Sequence, residues 1–208
     1  MKLIKIDALN PEKYKIKLAR DTLKVGGIVI YPTDTVYGLG ANVFHDEAVK
    51  KIYSIKKRPF HKPISICLSN VEDIYQFAFM SREMNEMVQK LLPGPYTLIF
   101  EKKEHFKSKV IPGNRIGIRI PNNPICRELS LNFPITSTSA NISGDMPPKS
   151  VKDALNSLGD VSDLIIDSGP CSRKLPSTVV DMTKSPPKII RHGAGMAFLN
   201  KNILNESI

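Results

Sequence analysis

The sequence predicts an α/β fold in which a mixed sheet is flanked by helices. Three observations carry this. Short apolar or alternating runs of strand length recur along the chain. Segments with apolar residues at helical spacing fall between them, and Gly, Pro or capping residues mark most boundaries. Strands that alternate with helices argue for layers of helix on a common sheet.

Lys2–Ile6 reads as a short strand. Asn10-Pro11 starts a helix, with Pro at its first position. Tyr14, Leu18 and Leu23 share a face of that helix, and Gly26-Gly27 ends it. Ile28–Tyr31 is apolar throughout, as in a strand covered on both faces. Asp46 is expected to cap a second helix with Ala48, Val49, Ile52 and Ile55 inward. Pro63–Leu68 is a strand, and Ser81 opens a helix with Met84, Met87, Val88 and Leu91 inward, stopped at Pro93-Gly94. Strands follow at Tyr96–Phe100 and Ile116–Ile120. Pro124 begins a short helix to Leu129, and Ile135–Thr138 is extended. Ser150 caps a helix carrying Val151, Ala154, Leu155 and Leu158, ended by Gly159. Leu164–Asp167, Thr178–Asp181 and Lys188–Arg191 complete the strands. Met196–Ile208 has weak helical periodicity and reads as a peripheral tail.

A chain of 208 residues is enough for one well-buried domain, and 41% hydrophobic residues excludes a disordered chain. No internal repeat or linker divides it. No apolar run reaches the roughly 20 residues of a membrane span, and the N-terminus lacks a signal-peptide pattern, so a cytoplasmic protein with no membrane partner is expected. Cys67, Cys126 and Cys171 are far apart and odd in number, which argues against a disulfide framework or a zinc site. The four histidines lack metal-ligand spacing. Thirty basic residues against twenty acidic give a formal charge of +10, which favours anionic ligands such as nucleotides or nucleic acid.

The common nucleotide motifs are missing: there is no P-loop, and Gly193-Ala194-Gly195 lacks the third glycine of a dinucleotide fingerprint. Four segments stand out instead. Tyr31-Pro32-Thr33-Asp34-Thr35-Val36-Tyr37-Gly38-Leu39-Gly40 follows a buried strand, so its hydroxyls fall at the sheet's carboxyl end, and its glycines would let backbone approach a ligand. Taken alone, it reads as a polar turn leading into a strand. Lys50 to Lys62 holds six Lys/Arg and no acid. Lys56 and Arg58 there could grip phosphate oxygens, or simply satisfy a helix C-terminus. Ser137-Thr138-Ser139-Ala140-Asn141-Ile142-Ser143-Gly144 offers hydroxyls and an amide at a strand's end. Ser177 and Thr178 open one strand near the C-terminus, and Arg191 closes another.

Together these segments resemble the YrdC-like family, the threonylcarbamoyl-AMP synthases. The carrying motifs are YPTDTVYGLG at 31–40, KKRP at 56–59, SAN at 139–141, STVVD at 177–181 and IIRHG at 189–193. Each is weak alone; five in order are specific. The resemblance covers nearly all of residues 10–196. It implies a twisted mixed sheet, a YrdC-like fold with a basic concave cleft, spanning residues 1–196 with a short tail at 197–208. It also implies a nucleotidyltransferase. The threonine amine takes up CO2, the resulting carbamate attacks the α-phosphate of ATP, and diphosphate leaves. Such chemistry needs positioning and charge neutralisation more than a protein nucleophile.

Residue by residue, the resemblance implies that Thr35 and Arg119 hold L-threonine, with Ser137 and Cys67 beside it. Lys56 and Arg58 are the expected catalytic cations on the triphosphate, with Lys62 close by. Ser139, Asn141, Ser177 and Arg191 are expected at the nucleotide, with Arg115 as an added phosphate partner. Mg2+ is expected to accompany ATP. The implied partners are ATP, L-threonine, bicarbonate or CO2, and a downstream tRNA threonylcarbamoyl-transfer complex. The charge also allows weak tRNA or RNA binding, and an RNA-binding module or a non-synthase paralogue is the alternative reading. Some positions depart from the common pattern: Cys67 replaces a His, Arg115 a Thr, Pro147 a Ser, and His192 the Pro of Arg-Pro-Gly.

Overall fold

The computed structural model describes residues 2–106, 111–173 and 175–199. Ten strands form a single mixed sheet: β1 (Lys2–Lys5), β2 (Val29–Tyr31), β3 (Gly38–Gly40), β4 (Ser65–Cys67), β5 (Tyr96–Glu101), β6 (Arg115–Arg119), β7 (Ile135–Ser139), β8 (Leu164–Asp167), β9 (Thr178–Asp181) and β10 (Lys188–Arg191). Their order across the sheet is β1-β8-β2-β3-β7-β4-β6-β5-β9-β10. Parallel pairs (β1–β8, β2–β8, β4–β6, β5–β9) mix with antiparallel ones, as expected. The helices are α1 (Lys13–Lys24), α2 (Asp46–Ile55), α3 (Ile74–Phe77), α4 (Arg82–Leu91), α5 (Pro124–Leu129), α6 (Val151–Leu158) and α7 (Met196–Leu199).

The period-two alternation of strands decides where helices pack. In the first half of the sheet both faces are covered. Ile28, Ile30 and Ile165 point toward α2 and α6, against Ala48, Val49, Ile52, Ala154 and Leu158. Val29, Tyr31, Leu164 and Ile166 point the other way, toward α1 and α5, against Ile16, Ala19, Leu23, Ile125 and Leu129. Each such fully buried aliphatic side chain stabilises the fold by roughly 1.5–3 kcal/mol before entropy is counted. In the second half one face packs on α4 through Ile66, Leu98, Ile116, Ile118 and Val180 with Val88 and Leu91. The residues between them that face the other way are polar or small apart from Ile99 and Val179, and they line an open cleft.

Several boundaries differ from expectation. Helix α1 begins at Lys13 with Glu12 as its N-cap, so Pro11 lies before the helix rather than inside its first turn. Helix α2 is capped by His45, whose Nδ1 accepts from the Ala48 amide at 3.3 Å; Asp46 is its first helical residue. The ring is tolerated because it lies against Gly26, where a Cβ would approach it to 2.4 Å. Helix α3 has too few residues to show a period. In helix α7 Leu199 is buried with core residues of α4, while Ala197 and Phe198 are exposed. The rest of the expected tail, residues 200–208, lies outside the described residues.

The glycines of the 31–40 segment serve packing, not ligand approach. Gly38 and Gly40 are buried in β3, where a Cβ on either would meet the Tyr31 ring at 2.8 Å. Tyr31 thus lies across the neighbouring strand, and its hydroxyl donates to the Thr136 carbonyl at 3.1 Å.

Candidate active site

The uncovered face of the second half-sheet is the floor of a cleft of about 630 Å³. Alternation places its lining. Arg115, Gly117 and Arg119 of β6 face the cleft while Ile116 and Ile118 enter the core. Thr97 and Ile99 of β5, Val179 and Asp181 of β9, and Ser65 of β4 do the same. Gly117 sits where a Cβ would meet the Ser65 hydroxyl at 2.5 Å, so a side chain here would crowd the floor. One wall is the 137–147 segment, and the other carries Ser177 and Arg191.

Lys56 is only 2% exposed. It caps α2, and its Nζ donates to the carbonyls of Ser139 and Asn141, both at 2.6 Å. Its own carbonyl accepts from the Ser143 amide at 2.9 Å, so side chain and main chain both tie the SAN loop to α2. Burial, and then the nearby Arg58, pull the ammonium down to about 8. An ammonium has three protons; with two engaged by carbonyls, one is left for a ligand.

Arg58 is held by its own loop, its Nε donating to the Lys62 carbonyl at 3.0 Å and its Nη2 to that of Pro63 at 2.9 Å. Arg191 donates through Nη2 to the Ser177 carbonyl at 2.9 Å and hydroxyl at 3.1 Å. The Ser177 hydroxyl also bonds Thr97 at 2.7 Å. Burial lowers the Arg191 pKa, and the positive fields of Arg119 and Arg58 lower it further. Three guanidiniums therefore share one space. Like charges gathered in this way are stabilised by an anion between them.

Arg119 Nη2 donates to Asp34 Oδ1 at 3.1 Å and to the Thr35 hydroxyl at 3.0 Å. The other Asp34 oxygen accepts from the Asn122 amide at 3.1 Å. Arg119 Nε is buried without a partner. Arg115 is anchored at the rim by Asp181 Oδ2 at 3.2 Å. Although burial raises the Asp181 pKa, hydrogen bonds from Thr183 and the charge of Arg115 outweigh it and keep the carboxylate ionised.

The structure therefore brings Lys56, Arg58, Arg115, Arg119, Ser137, Ser139, Asn141, Ser177 and Arg191 to one cleft. Three expected residues are not among its lining. Thr35 is fully buried behind Arg119, its hydroxyl bonded to Arg119 and Thr33. Cys67 is fully buried beside Arg119 in register, its thiol directed to the Leu68 carbonyl and the Ser130 hydroxyl; burial pushes it up to about 12. The Lys62 side chain lies outside the lining, and the residue's carbonyl serves the Arg58 loop. Two carboxylates that orient the arginines, Asp34 and Asp181, were missed. Both stand inside quoted motifs, and alternation about Gly117 would have aligned Arg115 and Arg119.

Matching chains place this cleft in a family. The family model described as telomere recombination (Sua5, YciO and YrdC) matches residues 21–193. The chain belongs to the Sua5/YciO/YrdC family. It is 40% identical over 194 residues to a putative threonylcarbamoyl-AMP synthase of Methanocaldococcus jannaschii, covering 92% of this chain and 93% of that one. The crystal structure of Pyrococcus abyssi Sua5 complexed with L-threonine superposes with a TM-score of 0.88 at 32% identity over 98% of this chain. The chain spans 61% of that Sua5. Escherichia coli YciO superposes at 0.85 with 27% identity, covering 94% of this chain and 97% of YciO. The cleft floor, built from β4, β5, β6 and β9, lies inside the span that this Sua5/YciO/YrdC model matches.

Among the described residues no helix is long and apolar enough to cross a membrane. Among them too, no group of three or more His, Cys, Asp or Glu could hold a metal. The cysteines are free and buried.

Proposed function

We propose that this chain is an L-threonylcarbamoyladenylate synthase acting in the cytoplasm. It joins L-threonine, bicarbonate or CO2, and ATP into threonylcarbamoyl-AMP and diphosphate, for threonylcarbamoyladenosine modification of tRNA. The observation that carries this reading is the convergence of Arg58, Arg119 and Arg191 on the cleft that holds Lys56. A charge-neutralising site without a protein nucleophile suits transfer of an adenylyl group to a small acid.

In this reading Arg119 pairs the threonine carboxylate through the part of its guanidinium that lines the cleft, with Asp34 and Thr35 fixing its plane. Ser137, paired with Ser65 of β4, lines the same floor. Lys56, Arg58 and Arg191 surround the phosphates, and Ser139, Asn141 and Ser177 orient them. Arg115 adds a cation at the rim. The threonine nitrogen bonds CO2 carbon and loses a proton, giving the carbamate. A carbamate oxygen then bonds the α-phosphorus as the bond to diphosphate breaks. Lys56 and Arg58 take up the charge of the leaving diphosphate.

Mg2+ enters as the companion of ATP. Of the two carboxylates that line the cleft, Asp181 is already engaged by Arg115 and Thr183 and Asp145 by Ser157, so the protein itself does not supply a metal cage. The product then passes to a separate tRNA-modifying complex, and RNA binding by the basic surface is a secondary property.

The test is diphosphate release with ATP, Mg2+ and bicarbonate, with and without L-threonine. Threonine-dependent release supports the synthase. ATP binding without release would overturn it in favour of a non-synthase relative, and no ATP binding would favour an RNA-binding module.

A further inference from the structure

Lys56 and Arg58 are two residues apart, and both line the cleft. In a continuing helix they would lie about 200° apart, on opposite faces. The chain solves this between them. Helix α2 ends at Ile55, Lys56 is its C-cap, and Lys57 takes a φ of +49°. The Lys57 amide donates to the Ser54 carbonyl at 3.0 Å, and the Arg58 amide donates back to that of Tyr53 at 2.9 Å. These two bonds define a Schellman ending, in which the left-handed position is usually glycine. Lys57 is the only non-glycine residue with positive φ among the described residues. Its side chain is exposed and makes no part of the cleft.

We infer that Lys57 is a positioning residue: its left-handed backbone turns Arg58 back so that it meets Lys56 at the same anion. The inference rests on the proposed function for its kinetic form, but its core claim is geometric. The loop after the turn is braced to keep that placement. Arg58 is bonded to the Lys62 and Pro63 carbonyls, the Tyr53 hydroxyl donates to the Lys62 carbonyl at 3.3 Å, and Phe60 stacks on Tyr53 at 4.8 Å. Only the dihedral at residue 57 is left to the residue type. A β-branched side chain resists it, whereas glycine and asparagine accept it.

The experiment compares Lys57→Gly, Lys57→Asn, Lys57→Ala and Lys57→Val, which all remove the same charge. Binding of inorganic tripolyphosphate is measured by calorimetry, and kcat and KM for ATP and for L-threonine by diphosphate release. Thermal melts check folding. The expected result is that the Gly and Asn variants bind tripolyphosphate equally well. The Val variant should bind about tenfold or more weakly, with the KM for ATP raised in step and that for threonine unchanged. Ala should fall between, which keeps the test alive if Val does not fold. Equal tripolyphosphate affinity in the Gly, Ala and folded Val variants would overturn the inference, as would a parent protein that binds no tripolyphosphate. A parent that binds it in this residue-dependent way yet releases no diphosphate would overturn the synthase reading and leave the positioning role standing.

Discussion

Arg119 and Asp34 form a buried ion pair beneath the cleft, Nη2 to Oδ1 at 3.1 Å, with side chains 9% and 6% exposed. The second Asp34 oxygen is occupied by the Asn122 amide, so the carboxylate is fixed from two sides and fixes the guanidinium in turn. An arginine held in this way presents its remaining donors in one plane, as recognition of a carboxylate requires.

Replacing Asp34 by Asn should therefore leave a buried guanidinium without its counter-charge. The expected stability loss is about 3 kcal/mol, the scale of breaking a buried pair. The KM for threonine should rise by about tenfold or more while that for ATP changes little. Chemical denaturation and steady-state kinetics check both. A shifted KM for ATP with threonine unaffected would contradict the placement of threonine at Arg119.

Lys56→Met removes the ammonium that faces the anion and leaves the Ser139 and Asn141 carbonyls without their donor. Diphosphate release should fall by roughly 10²–10³-fold, the scale of losing one preorganised charge donor. Lys56→Arg should not restore it, because the planar fork cannot replace a compact ammonium buried between two carbonyls.

The lowered pKa of Lys56, about 8, gives a pH signature. Only the protonated form offers a charge to the triphosphate, so kcat/KM for ATP should decline as pH rises through about 8. Stability has the opposite sign. Between that value and the ordinary lysine value of 10.5 the unfolded chain binds more protons at this residue than the folded one. Raising pH through this window therefore favours folding. Burial holds Cys67, Cys171 and Tyr37 above this window, and they ionise within it once unfolded, so the measure is the difference in unfolding free energy between the parent and Lys56→Met across that range. A difference that does not grow in the parent's favour would contradict the burial of a charged Lys56.

Gly117→Ala and Gly38→Ala separate floor from fold. At Gly117 the new methyl would meet the Ser65 hydroxyl in the cleft, so activity should fall while the melting temperature changes little. At Gly38 the methyl would strike the Tyr31 ring, and overpacking should cost about 1–3 kcal/mol. Melts and assays on both variants show whether the two effects divide in this way.

Arg115→Thr should release Asp181 from its partner at the cleft rim and raise the KM for ATP by about threefold to tenfold, the range expected of a half-exposed cation. Unchanged ATP kinetics would mean that Arg115 serves only its pair with Asp181.

Much of the architecture was legible because burial imposes a period. The apolar run at 28–31 and the apolar stripes of α2, α4 and α6 each state which face meets the core. The motifs at 56–59, 139–141 and 189–193 were legible as chemistry only in series, through the family resemblance they carry together; alone they read equally as a helix end, a turn and edge decoration. Caps and short elements were not. His45 serves as an N-cap only because Gly26, nineteen positions earlier in the chain, leaves room for its ring. Gly38 and Gly40 looked like a ligand approach until Tyr31 proved to fill their space.

By itself, then, the sequence determined the α/β class, the strand faces and a set of cationic and hydroxyl side chains suited to a nucleotide. The class and the faces follow from local patterning, and the side-chain set from motifs that are specific only in series. Only the tertiary structure decided which of them share a cleft. It placed Thr35 and Cys67 behind Arg119, joined Asp34 and Asp181 to the arginines, and turned Lys57 so that Lys56 and Arg58 converge. The physical reason is that these relations depend on strand order and on a single backbone dihedral, and neither is written in the spacing of residues along the chain.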